Sequence, residues 1–312
     1  MRKSLITVAT LLSCVFLHGQ NAEFEYFLST NPLLGSGNAA ALCTSPLKSI
    51  SSATASFNKD NGAFVGIDGS SDSWQAGVRG ESFTRISDRI VFCGGLSYSY
   101  FSGKNMGGSA LVDRESNPVA FLESTSETLG GKTRERYGLD AGMSYSLSEK
   151  WSLGFKLGYS AGNNVKVKDP RYRSELMFLD MSAGFFYRGD RNFAFGASAI
   201  FKNTQEMIKS HLFGTTEQSY YLLIDRGSFF GTLEQVEGMN GFVSTSDFQP
   251  MTNNLYGASF QLEAGSKVRS YNEITVLYRG GHYGKGSSTY PIYFEYSGFT
   301  AEYDGKLLWG SR

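Results

Sequence analysis

Tyr137, Leu139, Ala141, Met143, Tyr145 and Leu147 alternate with Gly138, Asp140, Gly142, Ser144 and Ser146. After Ser148-Glu149-Lys150 the rhythm resumes, with Trp151, Leu153, Phe155, Leu157 and Tyr159 set against Ser152, Gly154, Lys156, Gly158 and Ser160. A period of two is that of a strand with one apolar and one polar face, and a short polar link makes the pair a hairpin. A second hairpin joins Met177–Tyr187 to Phe193–Phe201 through Arg188-Gly189-Asp190-Arg191. Weaker alternation flanks Ser87-Asp88-Arg89, and a fourth pair flanks Ser266–Ser270. Each run is roughly ten residues long, the length with which a tilted strand crosses a bilayer and longer than the usual strand of a soluble sandwich.

The two rows differ in a way that matters. The apolar row is bulky, with Tyr137, Tyr145, Trp151, Tyr159, Tyr187, Tyr100 and Tyr256 near the strand ends, where interfacial aromatic girdles belong. The other row is mostly Gly and Ser with occasional charges, a poor hydrophobic core but a suitable lining for an enclosed polar interior. In that reading Asp140, Lys156, Asp180, Lys202, Gln261, Glu263, Glu273 and Arg279 face the lumen. Mixed charges on such a wall either set a field for a passing solute or fasten the interior as ion pairs.

Loop length alternates as well. Connections near Asp88, Glu149, Asp190 and Lys267 are short, while those at 102–133, 162–172 and 203–253 are long. Outer-membrane barrels show this asymmetry, with short periplasmic turns and longer external loops. The pattern therefore predicts an all-β, antiparallel up-and-down transmembrane β-barrel over 51–312. Asn61-Gly62 is expected to turn between strands at 51–57 and 63–68. Near the end, Tyr290–Phe299 forms a strand, Asp304-Gly305 turns, and Leu307 begins another. This totals eleven strands and a stub, or about twelve. Because Trp309-Gly310-Ser311-Arg312 lacks the aromatic ending common in such barrels, two readings stay open: a barrel incomplete at its C-terminus, which is favoured, or a twelve-strand barrel completed by Ile292–Trp309 with an unusual end.

The start of the chain sets the compartment. Arg2 and Lys3 precede an apolar stretch from Leu5 to Leu17, and Gly19 suits cleavage, so residues 1–19 read as a signal peptide. Leu11-Leu12-Ser13-Cys14 loosely resembles a lipoprotein box, but the apolar run continues past it. Residues 20–50 lack clean alternation and are placed in the lumen or at the periplasmic rim. No later stretch is long and apolar enough for a transmembrane helix. Cys43 and Cys93 permit a disulfide without requiring one.

Composition adds exclusions. Net charge is zero, from 29 basic and 29 acidic residues, so nothing favours nucleic acid as a partner. Gly (37), Phe (24) and Tyr (18) are abundant, Pro (6) is scarce, and mean hydropathy is −0.24, an average over one greasy and one polar row. Of three histidines, His18 lies in the signal peptide. A hydrolase would need His211 or His282, with Asp225 or Asp247, yet no nucleophile-elbow pattern accompanies either. Asp72, Asp88, Asp113, Asp190 and Asp304 are scattered rather than spaced as a calcium loop. The glycine runs at 103–108 and 227–231 lack the remainder of a phosphate loop. The expectation is a non-enzyme without cofactor. Its partners are outer-membrane lipid and another outer-membrane or periplasmic protein, with Tyr220, Tyr221, Phe229 and Phe230 as loop contacts. A loop-histidine hydrolase and a soluble secreted β-sandwich adhesin are the alternatives.

Asn38-Ala39-Ala40-Ala41-Leu42, then Ser52–Phe57 and Gly62-Ala63-Phe64, together with the hairpins at 137–159 and 185–201, resemble an uncharacterised family of Bacteroidota outer-membrane β-barrel proteins. The resemblance spans most of the mature chain. It implies a barrel fold, a membrane location and members longer than this chain, and hence a truncated member. It carries no activity and no functional residue.

Overall fold

The structure is a computed structural model. It describes residues 24–309 except 67, 114–116, 118, 124–128, 169–170, 190–191, 212–219, 225–231, 237–249, 285 and 287–291. The signal-peptide reading of 1–19 therefore lies outside the described residues.

Alternation produces one antiparallel meander. β1 (Ser49–Asn61), β2 (Asp72–Arg85), β3 (Ile90–Met106), β6 (Gly130–Ser146), β7 (Trp151–Lys166), β8 (Arg171–Arg188), β9 (Phe193–His211), β12 (Pro250–Ala264), β13 (Val268–Gly284) and β14 (Ile292–Trp309) pair in that order. Each strand hydrogen-bonds its sequence neighbour in the sheet, so the fold is all-β and up-and-down. Among the described residues no pairing joins β1 to β14, and the sheet stays open at both.

The wall has ten strands rather than about twelve, for two reasons. Asn61 ends β1 and the next strand begins at Asp72, so residues 63–68 add no strand. At the far end, Asp304-Gly305 does not turn. β14 runs through both, pairing Asp304 with Glu273 and Gly305 with Asn272. A local Asp-Gly signal yields to a ladder already set by β13.

The strands are also longer than the apolar runs, reaching 19 residues in β9. The connection expected at 162–172 contracts to 167–170 as β7 and β8 extend into it. Parts of 102–133 and 203–253 are likewise strand. Between them, β4 (Gly108–Ser109), β5 (Val119–Glu123), β10 (Tyr220–Ile224) and β11 (Thr232–Val236) form a second, four-stranded sheet in the order β11-β10-β5-β4. The two longest connections thus meet above one end of the wall.

The first described residues line the other end. Helix α1 (24–30), helix α2 (Pro32–Gly35) and a 3-10 helix (Ala39–Thr44) lie against the sheet near its short turns. Leu33 shares an apolar cluster with Phe186, Ala194 and Tyr271 of β8, β9 and β13. Its neighbour Leu34 shares another with Val91 of β3, against which Phe83 of β2 packs. In a flat sheet β2 and β13 would lie seven strand spacings, about 34 Å, apart. Adjacent residues reach both, so the sheet curls around residues 24–45, which plug it.

Candidate functional site

The inner face is polar where a globular core would be greasy. Lys132 is 0% and Glu206 1% exposed, whereas Leu96 is 66% and Phe260 59% exposed. Three layers stack along this interior.

The layer at the short-turn end is the plug, and its seat is small and polar. Asn38 caps the 3-10 helix by accepting from the Ala40 N–H at 3.1 Å. Its amide donates to the Phe185 carbonyl (2.9 Å), the Gln261 side-chain oxygen (3.1 Å) and the Ala197 carbonyl (3.4 Å). Ser144 and Ser152 donate to the Ala40 carbonyl at 3.0 and 2.8 Å, and Ser182 to that of Gly37 at 2.8 Å. Arg85 and Arg188, from β2 and β8, both donate to the Cys43 carbonyl, at 3.0 and 3.3 Å. Between these donors lie Gly154 and Gly184, where any Cβ would overlap the plug at Ala40 and Asn38. The Gly/Ser row is therefore the socket for the chain's own N-terminal segment. Cys43 and Cys93 remain separate thiols, Cys43 lying 3.2 Å from the Ser152 hydroxyl.

The layer at the opposite end is a second obstruction, residues 107–113 turned inward together with Asn117. Glu206 holds it, accepting from Ser174 Oγ (2.6 Å), Asn117 Nδ2 (3.1 Å), the Asp113 N–H (3.3 Å) and the Val112 N–H. Lys132 donates to the carbonyls of Ser109 (3.2 Å) and Gly107, and Asn164 to that of Ala110 (3.1 Å). Asn253 donates to Asn117 at 3.0 Å and accepts from the Tyr296 hydroxyl. Tyr296 reaches it by lying across Gly281, where a side chain would overlap the ring. Leu111, Tyr172, Ile208 and Met251 close a small apolar cluster beside these bonds.

Between the two obstructions lie most of the charges read from the alternation. Asp180 and Lys202 form an ion pair at 3.2 Å, and Arg279 lies 5.5 Å over the Tyr296 ring. Asp140 and Lys156 line a cavity of about 190 Å³ bounded by Leu34, Leu42 and Phe83. Gln261, Glu263 and Glu273 sit lower, at plug level. Glu273 accepts from Ser259 and Gln261 at 2.7 Å each and from Tyr271 at 2.7 Å, while Glu263 pairs with Arg269 at 3.0 Å.

The loop candidates fare differently. Tyr220 and Tyr221 lie in β10, their backbone paired with β5 and β11. Phe229 and Phe230 lie outside the described residues. The two histidines placed in loops are in strands, His211 ending β9 and His282 opposite Thr252 and Glu295 in β13. Among the described residues no cluster of His, Cys, Asp and Glu could hold a metal. Lys132, Glu206, Asn164 and Asn253 were not among the residues singled out from the sequence. The signal was available: Arg136, Arg134 and Lys132 continue the polar row of Tyr137–Leu147 in phase.

Outside, the apolar band has two aromatic rims. Trp151, Tyr187 and Phe195 pack together near the short turns. Phe201 meets Tyr256, and Tyr278 meets Phe299, at the other level. Trp151 to Tyr159 is eight residues, about 26 Å along the strand, the scale of the roughly 25 Å apolar band of outer-membrane barrels. Past the upper rim the outward side chains turn polar, with Glu175 paired to Arg173 (3.0 Å) and Lys209 (2.9 Å), and Asn163 bonded to Glu135 (3.1 Å).

A model of a family of unknown function, DUF6850, matches residues 39–312, which hold the plug's 3-10 helix and the whole wall. The chain belongs to this family. No curated protein matches it. Solved structures similar to it include the outer membrane transporter YddB from Escherichia coli, with 8% identity and a TM-score of 0.42, covering 77% of this chain and 32% of that one. The ferric yersiniabactin uptake receptor FyuA from Yersinia pestis gives 9% and 0.43, covering 83% and 39%. FpvA of P. aeruginosa, solved bound to heterologous pyoverdines, gives 11% and 0.44, covering 81% and 35%. The DUF6850 chain thus spans about a third to two-fifths of those proteins. At such identities and TM-scores the likeness carries nothing about what binds or passes.

Proposed function

We propose that this DUF6850 protein is an exported outer-membrane β-barrel protein that admits small solutes through an interior held shut by its own chain. The observation that carries the reading is the inverted surface: bulky apolar side chains face outward in a band between aromatic rims, while lysine, glutamate and asparagine are buried within. In water such an exterior would aggregate, and in a bilayer it is the stable arrangement. The passage reading is supported by the nature of both obstructions. Each is fixed to the wall by polar bonds, which a polar solute or water can replace one by one, beside small apolar clusters. The reading requires no cofactor, catalytic residue or nucleic acid, and its natural contacts are lipid and a partner at either rim.

Two measurements test it. Reconstituted protein should remain with the vesicles after carbonate extraction, and release into the supernatant defeats the membrane assignment. In planar bilayers the native protein should open rarely, whereas Gly154→Leu combined with Glu206→Ala, the first driving a side chain into the plug backbone and the second releasing the other obstruction, should conduct steadily. Silence of both proteins after demonstrated insertion defeats solute passage.

A further inference from the structure

The interior charges fall into two kinds. Asp180 and Lys202 satisfy each other, as do Arg79 and Glu81 at 2.5 Å. Asp140 and Lys156 do not. They occupy diagonal positions on β6 and β7, since Asp140 faces Gly158 and Lys156 faces Gly142. Neither has an ion-pair or hydrogen-bond partner among the described residues, Asp140 acting on Arg79 only through space, although both line the same cavity of about 190 Å³. Across that cavity the plug presents Leu34 and Leu42, and β2 presents Phe83 beside the mutually paired Arg79 and Glu81. The space is smaller than the roughly 300–1,000 Å³ of a drug-sized pocket and suits one small solute.

We infer that this cavity is a binding site for a small zwitterion with an apolar side chain, of the class of free apolar α-amino acids. The solute's ammonium donates to the Asp140 carboxylate, its carboxylate accepts from the Lys156 ammonium, and its side chain lies against Leu34, Leu42 and Phe83. A cation or an anion alone would satisfy one wall charge and leave the other unmatched. A solute carrying both, on one carbon, answers the two together. The site rests on the solute-passage reading for its purpose but not for its chemistry. It lies on the plug's side of the inward residues 107–113, where a passing solute would pause.

The test uses full-length protein in detergent and L-leucine as probe. Equilibrium dialysis should show saturable binding of one leucine per chain. 4-Methylpentanoate, which lacks the ammonium, and 3-methylbutylamine, which lacks the carboxylate, should compete at least about tenfold more weakly, the effect of losing one charge-assisted hydrogen bond. Asp140→Asn and Lys156→Gln should each weaken leucine by a similar factor. Cys93 lines the cavity, so in a Cys14→Ser, Cys43→Ser background leucine should slow its modification by a small thiosulfonate. Absence of saturable binding overturns the inference. So does equal competition by 4-methylpentanoate, a result that needs no variant to fold. Leucine binding without conductance through the Gly154→Leu, Glu206→Ala protein would sink the passage reading and leave the site standing, while conductance without binding would do the reverse.

Discussion

Asn38 shows how much a single amide decides. Its side chain caps the 3-10 helix and reaches two wall carbonyls and Gln261, joining the plug to β8, β9 and β12 at once. Asn38→Ala leaves those partners unsatisfied in a water-poor interior, at about 1–3 kcal/mol for each buried group stranded. Hydrogen exchange at the amides of Ala40 and Ala41 should accelerate while that of β7 and β8 stays slow. Uniformly accelerated exchange would mean the residue supports the wall rather than the plug. Glu206 does the equivalent work at the other end. Glu206→Ala should cost the hold on Val112, Asp113 and Asn117 about 1.5–3 kcal/mol for each charge-assisted bond lost, read as new proteolytic cleavage between Ala110 and Asp113. Glu206→Gln, which keeps an acceptor, should lie between the two. Neither residue announced itself, because an Asn in a non-alternating leader and a Glu in a long connection look like ordinary polar positions until their partners are known.

At the scale of the strand, alternation assigns every side chain to a face, and the two faces answer to different solvents. An arginine at Phe260, mid-band on the outside of β12, should cost about 2–4 kcal/mol in a bilayer. At Gln205, outward on β9 but above the upper aromatic rim, it should cost roughly 0–1 kcal/mol. Urea titration in lipid vesicles checks the contrast, and equal costs would place Phe260 outside the hydrocarbon. The short hairpins were legible because Ser148-Glu149-Lys150 and its counterparts interrupt a strict period. The strand ends were not. β6 continues through Arg136, Arg134 and Lys132, where both faces are polar, so the hydropathy contrast vanishes while the ladder of hydrogen bonds goes on. Asp304-Gly305 failed as a turn for the complementary reason, since pairing with β13 outweighs a local preference.

For the molecule as a whole, the open edges are the sharpest demand. β1 and β14 each present a row of unpaired backbone groups, and within lipid every such group must find a partner at several kcal/mol apiece. The first and tenth strands of a meander run antiparallel, so the two edges can pair with each other without reversing either. In vesicles, amides along Ala53–Phe57 of β1 and Thr300–Tyr303 of β14 should therefore exchange as slowly as those of β7. Rapid exchange at both edges of membrane-inserted protein would contradict a wall sealed against lipid.

The two-residue rhythm by itself determined the class of fold, the outward and inward rows, and the end at which the turns are short, because strand periodicity and turn chemistry act between near neighbours in the chain. Only the tertiary structure decided what fills the interior. The fit of Asn38 into a socket built around Gly154 and Gly184, and the hold of Glu206 on residues about 90 positions away, depend on strands that the chain brings together only by curling. A glycine in a pattern says that a side chain is missing; which segment takes its place is settled when the sheet curls around it.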